Sequence, residues 1–445
     1  MLNWTRSLCL MAVVAAVLTP KVALAQETTG LAGAPVSRIS LAEALRRFEA
    51  NNLELRLARA AVAAAESRVV AARQLPNPGL SASREQLSDE GAANHETLLA
   101  LGQILEIGGQ RRARGEAARG ASAASVERLE SERLRLVFEV HRAYVRGAVA
   151  EANLGTLAEA TEVFRRVEES GRVRFAEGDI SQYDRSRLQV ERIRYETLLA
   201  RAQLELEEAA RELAMLVMPD SLDVAALLPG EPLAQLRALG PAPARGAALA
   251  AAADRPDVSA ADAEIDAARA RLSLMRRERI PDLTLSAGYK QEGSGASGAV
   301  VGLSMPLPLW NRNQGEIAEA QAELDAAVAR RGLALARAQE DIRRAWDNYR
   351  SLGARTSALG ETLLPESAGL LETARIAYAE GEMSLVQLLD AADAYRSARE
   401  SVNELLGGYL IALYDLQRAT GGLLDPNSIP ADVSSRQGGL DATNR

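Results

Sequence analysis

Leu283-Thr284-Leu285-Ser286-Ala287-Gly288-Tyr289-Lys290 is followed, across the link Glu292-Gly293-Ser294-Gly295-Ala296-Ser297-Gly298, by Ala299-Val300-Val301-Gly302-Leu303-Ser304-Met305-Pro306-Leu307. In the first run Leu283, Leu285, Ala287 and Tyr289 alternate with small or polar residues. In the second, Ala299, Val301, Leu303, Met305 and Leu307 alternate with Val300, Gly302, Ser304 and Pro306. A period of two is the signature of a strand with one apolar face, and the glycine-rich link makes the pair a hairpin. Each run has roughly the 9–11 residues that a tilted strand needs to cross an outer membrane. The same alternation also suits a soluble hairpin capping a larger assembly, so the pattern by itself leaves both readings open.

A poorer copy lies upstream. Leu80 to Gln86 and Thr97 to Leu105 flank a polar loop, Ser88 to His95, with Arg84 and Glu85 blurring the alternation. Leu75-Pro76 through Leu80-Ser81-Ala82 matches Ile280-Pro281 through Leu285-Ser286-Ala287. Further on, Phe175-Ala176-Glu177-Gly178-Asp179-Ile180-Ser181 matches Tyr378-Ala379-Glu380-Gly381-Glu382-Met383-Ser384. The matches keep their order and spacing, so the chain is an internal duplication of helix, hairpin, long helix, glycine turn and helix. The copies span 26–218 and 257–421. Between them 219–256, rich in Pro, Gly and Ala, reads as an irregular insert, and 422–445 reads as an irregular tail.

Around the hairpins the sequence is helical. Ser40-Leu41-Ala42-Glu43 reads as a capping box, and Leu41, Leu45, Phe48, Leu53, Leu57 and Ala61 form one apolar stripe from it to the breaker Pro76-Asn77-Pro78-Gly79. Gln110 to Val173 contains no proline; as one helix it would extend roughly 95 Å. Asp179–Val217, Gln314–Leu363 and Ser384–Thr420 repeat its Ala/Glu/Arg/Leu composition. Such rods do not fit a compact domain, and their alanine-rich faces suit close coiled packing. On composition alone they fit a plain coiled coil or spectrin-like spacer better than the wall of a conduit.

The chain of 445 residues is 47% hydrophobic but only 4% aromatic, so a conventional core built on large rings is not expected. A net charge of −8 offers no basic footprint for nucleic acid. One Cys and two His are too few for a Cys/His zinc site or an iron–sulfur cluster. Arg6, the apolar run Leu8–Leu18, Pro20 and Ala23-Leu24-Ala25 form the pattern of a cleavable secretory signal, residues 1–25. Its removal takes Cys9 with it and lowers the basic count from 52 to 50 against 60 acids. Beyond Gln26 no apolar run is long enough for a spanning helix, so any crossing of a membrane must use strands of a closed barrel.

Taken together, the duplicated pattern resembles the TolC family of outer-membrane efflux proteins over nearly the whole mature sequence. Met305-Pro306-Leu307-Pro308-Leu309-Trp310-Asn311-Arg312-Asn313-Gln314-Gly315-Glu316-Ile317 is similar to the heavy-metal, CzcC-like branch. The resemblance implies a mainly α protomer with a small β part. Three such protomers would form a 12-stranded outer-membrane β-barrel above a periplasmic α-helical barrel. It implies a passive duct working with a periplasmic adaptor and an inner-membrane proton-driven RND transporter, with no cofactor and no resident metal. Leu283, Leu285, Ala287, Tyr289, Val301, Leu303, Met305 and Leu307 would face lipid. The branch implies cation export; a duct for drugs or other organic molecules would differ only in its partners. A periplasmic coiled-coil scaffold without a pore is the alternative of a different class.

The resemblance also assigns a gate at the periplasmic end. Asp184 and Tyr378 fall on the family's linking pair and Asp390 on a ring carboxylate. Gln387 stands at the second carboxylate position and Met383 replaces a linking Arg. Gly178, Gly381, Ala176, Ala379, Ser181 and Ser384 fall on the turns that dock the adaptor. Without that alignment, Asp390 and Asp393 read as an ordinary solvated helix face. Catalysis finds no support: His95 in a polar loop and His141 in a long helix have no triad context, and no glycine-rich phosphate cradle joins a strand to a helix.

Overall fold

A computed structural model describes residues 36–89, 92–219, 226–236 and 244–422. The signal 1–25 and, apart from its first residue, the tail 422–445 lie outside the described residues. The first half runs β1 (Val36–Ile39), α1 (Leu41–Asn51), α2 (Leu53–Ala72), β2 (Gly79–Asp89), β3 (Ala92–Leu105), α3 (Gln110–Glu177) and α4 (Gln182–Val217). The second runs β4 (Ala226–Pro229), α5 (Arg245–Ala250), α6 (Pro256–Arg277), β5 (Leu283–Glu292), β6 (Ser297–Ser304), α7 (Gln314–Ala379) and α8 (Leu385–Ala419). The 68 residues of α3 and 66 of α7 make each rod about 100 Å long. No described helix is long and apolar enough to cross a membrane.

The expected single helix from Leu41 is two. Asn52 has extended backbone (ψ 128°); its Oδ1 caps α2 by accepting from Leu55 N at 2.9 Å, and its Nδ2 donates to the Leu216 carbonyl at 3.0 Å. The break re-phases the apolar stripe, so Leu55 is buried (1% exposed) while Leu57, expected on the packed face, is 73% exposed. The capping box at Ser40 is only half made. Ser40 Oγ accepts from Glu43 N at 3.3 Å, but the Glu43 carboxylate turns to Arg46 and Arg47 instead of the cap.

The segment 219–256, expected to be irregular, contains β4, which pairs in parallel with β1, and α5. Buried Tyr144 of α3 pins this ribbon: its hydroxyl donates to the Ile39 carbonyl at 2.9 Å and accepts from Gly230 N at 3.0 Å. Ile39, Phe48, Leu136, Leu213, Leu227 and Leu410 pack around it.

The other strands form one antiparallel sheet in the order β2-β3-β5-β6. Both hairpin strands of the first half outrun the expected segments, so Ser88, Asp89 and residues 92–95, read as loop, are paired strand. Directly paired residues share a face. Leu80, Leu101, Ala287 and Val301 form one row, and Ala82, Leu99, Tyr289 and Ala299 the next. Leu285 and Leu303 continue that face, on which Val301 is 76% and Leu303 68% exposed. The opposite face carries Thr284, Ser286, Gly288 and Lys290, with Lys290 paired to Glu96 at 2.7 Å. Gly288 must be glycine, because a Cβ there would lie 2.5 Å from the Leu99 carbonyl oxygen. Met305 and Leu307, expected on the strand, lie beyond its end at Ser304, since Pro306 and Pro308 lack the N–H that a ladder needs. Among the described residues, β2 and β6 each have one unpaired edge.

Candidate functional site: the helix tips and the belt above them

The sheet caps one end of the helical rods; at the other, α3 turns into α4 and α7 into α8. Both turns are built alike. α3 ends at Gly178 (φ 85°), where Asp179 N reaches back to the Arg174 carbonyl at 2.8 Å. α7 ends at Gly381 (φ 80°), where Glu382 N reaches the Ala377 carbonyl at 2.9 Å. A left-handed residue closing a helix in this way favours glycine, and a Cβ would meet no neighbour at either site, so conformation alone selects it. Ala176 and Ala379 are exposed in the last turns of the two helices.

Ser181 and Ser384 start the return helices with complete capping boxes. Ser181 Oγ accepts from Asp184 N at 3.1 Å and donates to the Asp184 carboxylate at 2.7 Å. Ser384 Oγ accepts from Gln387 N at 3.4 Å and donates to Gln387 Oε1 at 2.8 Å. Asp184 and Gln387 therefore occupy equivalent positions, each closing its own turn. The signal was present in the sequence as Ser181-Gln182-Tyr183-Asp184 and Ser384-Leu385-Val386-Gln387, three residues from cap to partner.

Tyr378 is buried, with the Arg174 guanidinium 5.6 Å from its ring centre and Arg174 Nη1 3.4 Å from its carbonyl. Burial raises its phenol above the ordinary value; Arg174 opposes this and the Asp184 carboxylate adds to it. Asp184 and Tyr378 are thus brought within electrostatic reach of each other, with no hydrogen bond between them in the protomer. Met383 packs partly buried against the apolar cluster that contains Leu385 and Leu388, and Asp390 is exposed on α8.

One turn beyond Asp390 the arrangement changes. Asp393 accepts from buried Tyr195 Oη of α4 at 3.0 Å and faces Arg194 at 3.4 Å and Arg396 at 3.7 Å. Tyr395 of α8 donates in turn to the Glu159 carboxylate of α3. Neither contact was legible, because the partners lie about two hundred residues apart in different copies. His95, expected in a loop, sits in β3 opposite Gln86. His141 is buried and stacks on Tyr414 at 4.0 Å. Among the described residues no group of three or more His, Cys, Asp or Glu is placed to hold a metal ion.

A four-stranded sheet, apolar on one face and open at both edges, set on helical hairpins of this length, is the protomer of an outer-membrane channel. The chain belongs to the outer membrane efflux protein family, whose model matches residues 44–217 and 249–422. It is 27% identical over 422 residues to the cobalt-zinc-cadmium resistance protein CzcC of Cupriavidus metallidurans, covering 91% of this chain and 97% of that one. The nickel and cobalt resistance protein CnrC of the same organism is 28% identical over 57% of this chain and 60% of its own length. Among solved structures, the open state of the Neisseria gonorrhoeae MtrE channel aligns with a TM-score of 0.71 at 21% identity, covering 93% of this chain and 98% of that one. The outer-membrane channel OprN aligns at 0.71 and 20% identity, over 86% and 90%.

Proposed function

We propose that this chain is the outer-membrane exit duct of a tripartite efflux system exporting heavy-metal cations such as cobalt, zinc, cadmium, nickel or copper. The observation that carries the reading is the similarity to a cobalt-zinc-cadmium resistance protein along 97% of that protein's length. Three protomers would join β6 of one sheet to β2 of the next. Edges cannot stay unpaired in lipid, and three four-stranded sheets make a closed cylinder. The helices would line a periplasmic bore. A proton-driven RND transporter of the inner membrane would supply the energy, and an adaptor would seat on the tips formed by Ala176, Gly178, Ser181, Ala379, Gly381 and Ser384.

In this reading Asp184, Tyr378, Met383 and Gln387 shape the closed end, and Asp390, one per protomer, contributes a ring of negative charge that concentrates cations. The duct moves its cargo without chemistry. Deleting the gene should lower tolerance to one or more of these metals, with full recovery on complementation. Unchanged metal tolerance with new sensitivity to dyes would favour a duct for organic molecules; a water-soluble monomer in the periplasm would favour a scaffold.

A further inference from the structure

We propose that Asp393 is the hub of a second latch above the tips, strapping α8 to α4 and limiting how far the α7–α8 hairpin swings away from the α3–α4 hairpin. The proposal rests on the reading of the tips as a gate. α4 and α8 come from different copies of the duplication, and their union near the tip runs through side chains. Asp393 receives the Tyr195 hydroxyl at 3.0 Å and the Arg194 guanidinium at 3.4 Å, both from α4, while Arg396 approaches from its own helix at 3.7 Å.

Tyr195 is 1% exposed and fixed on its other side by Phe164 of α3, ring centres 4.3 Å apart, so its hydroxyl is aimed by packing. A phenol that leaves the carboxylate while still buried is left without a partner, which gives the bond a directional hold. The exposed Arg194 pair contributes less because solvent screens it.

Tyr395, two residues on and also buried, reaches the opposite way to Glu159 of α3. α8 is therefore strapped at one level to α4 by Tyr195–Asp393 and to α3 by Tyr395–Glu159. That level lies about 13 Å along α8 from Ser384. Below it, Arg174 approaches Tyr378 more loosely, its guanidinium 5.6 Å from the ring centre. With the belt intact, movement is confined to the short segments beneath it; with the belt released, the hinge moves up the rods and the bore widens.

The test is single-channel conductance of the full-length protein in planar bilayers, with heat-resistant trimer and melting temperature followed in parallel. Asp393→Ala and Tyr195→Phe should each raise mean conductance about twofold or more, and the double variant no further than Asp393→Ala alone, because that change has already removed the bond to Tyr195. Trimer stability should stay at the wild-type level. Tyr195→Phe keeps the ring against Phe164 and decides alone if Asp393→Ala does not assemble. Asp184→Ala combined with Tyr378→Phe serves as the tip control. Wild-type conductance in the belt variants alongside raised conductance in the control overturns the latch and leaves the gate standing. Silence from every variant overturns both, and additive belt effects overturn the shared bond.

Discussion

Gln110, at the foot of the sheet, donates to the Ile280 carbonyl at 2.9 Å and to Asp282 at 3.0 Å, while Glu106 pairs with Arg114 at 2.6 Å. One guanidinium thus serves several acids. Burial raises the Glu278 carboxyl above its ordinary value; Arg114 opposes this, and Asp282, Glu316 and Glu106 add to it. Asp282 is raised by burial and by Glu106, again against Arg114. An acid whose folded value lies above its unfolded one binds its proton more tightly in the fold. Its contribution is fully present below the unfolded value and is lost as pH rises through the folded one. Glu278→Gln and Asp282→Asn should therefore raise the melting temperature at pH 7.5, and the gain should vanish near pH 3, below the ordinary value of both acids; a gain of equal size at both pH values would contradict the assignment. At this scale the sequence was partly legible. The glycines of the tips announced themselves by their repeated context, whereas the acids at the foot come together only through folding, from α6, β3 and the strand entry.

The strands of the second hairpin could be read because alternation survives over eight or more residues, and the long helices because nothing interrupts them. β1 and β4 could not: each has four residues, and they pair across about 190 positions of chain. The break at Asn52 was hidden by leucines that keep a helical rhythm on both sides of it. That residue caps α2 and also ties it to the end of α4, so Asn52→Ala should destabilise the protomer by about 1–2 kcal/mol through loss of the cap and an orphaned Leu216 carbonyl. Asn52→Asp, which keeps the acceptor and loses the donor, should fall between the two in thermal denaturation. Equal stability of Asn52→Ala and wild type would show that the break is set by packing on Phe48 and Leu55 instead.

At the scale of the molecule, duplication was legible as two matched segments in fixed order, and it prepared the near-identical turns at Gly178 and Gly381. What duplication does not encode is contact between the copies, which is why Tyr195–Asp393 and Tyr395–Glu159 had no signature. The sheet carries the clearest global test. Val301 lies in the apolar row with Leu80, Leu101 and Ala287, so Val301→Arg should cost about 2–4 kcal/mol if that row sits near the bilayer midplane. The yield of heat-resistant trimer from outer membranes should drop, while Ser286→Arg on the opposite face should be tolerated better. A larger drop from Ser286→Arg than from Val301→Arg would reverse the inside and outside of the sheet.

The two turns are mechanically twins but chemically unlike, for the residue closing one is the acid Asp184 and the residue closing the other is the neutral amide Gln387. In a threefold ring of these protomers, six knobs of nearly the same shape would alternate around the rim in the residue that closes them, while Glu177 and Asp179 on one kind and Glu380 and Glu382 on the other keep both acidic. A partner arriving with sixfold repeats of one surface would meet six acidic seats, each able to reward a basic side chain. Shape and net charge would both leave angular registry between duct and partner indifferent to a rotation of one place, and the closing residue alone, acid or amide, would tell the two settings apart.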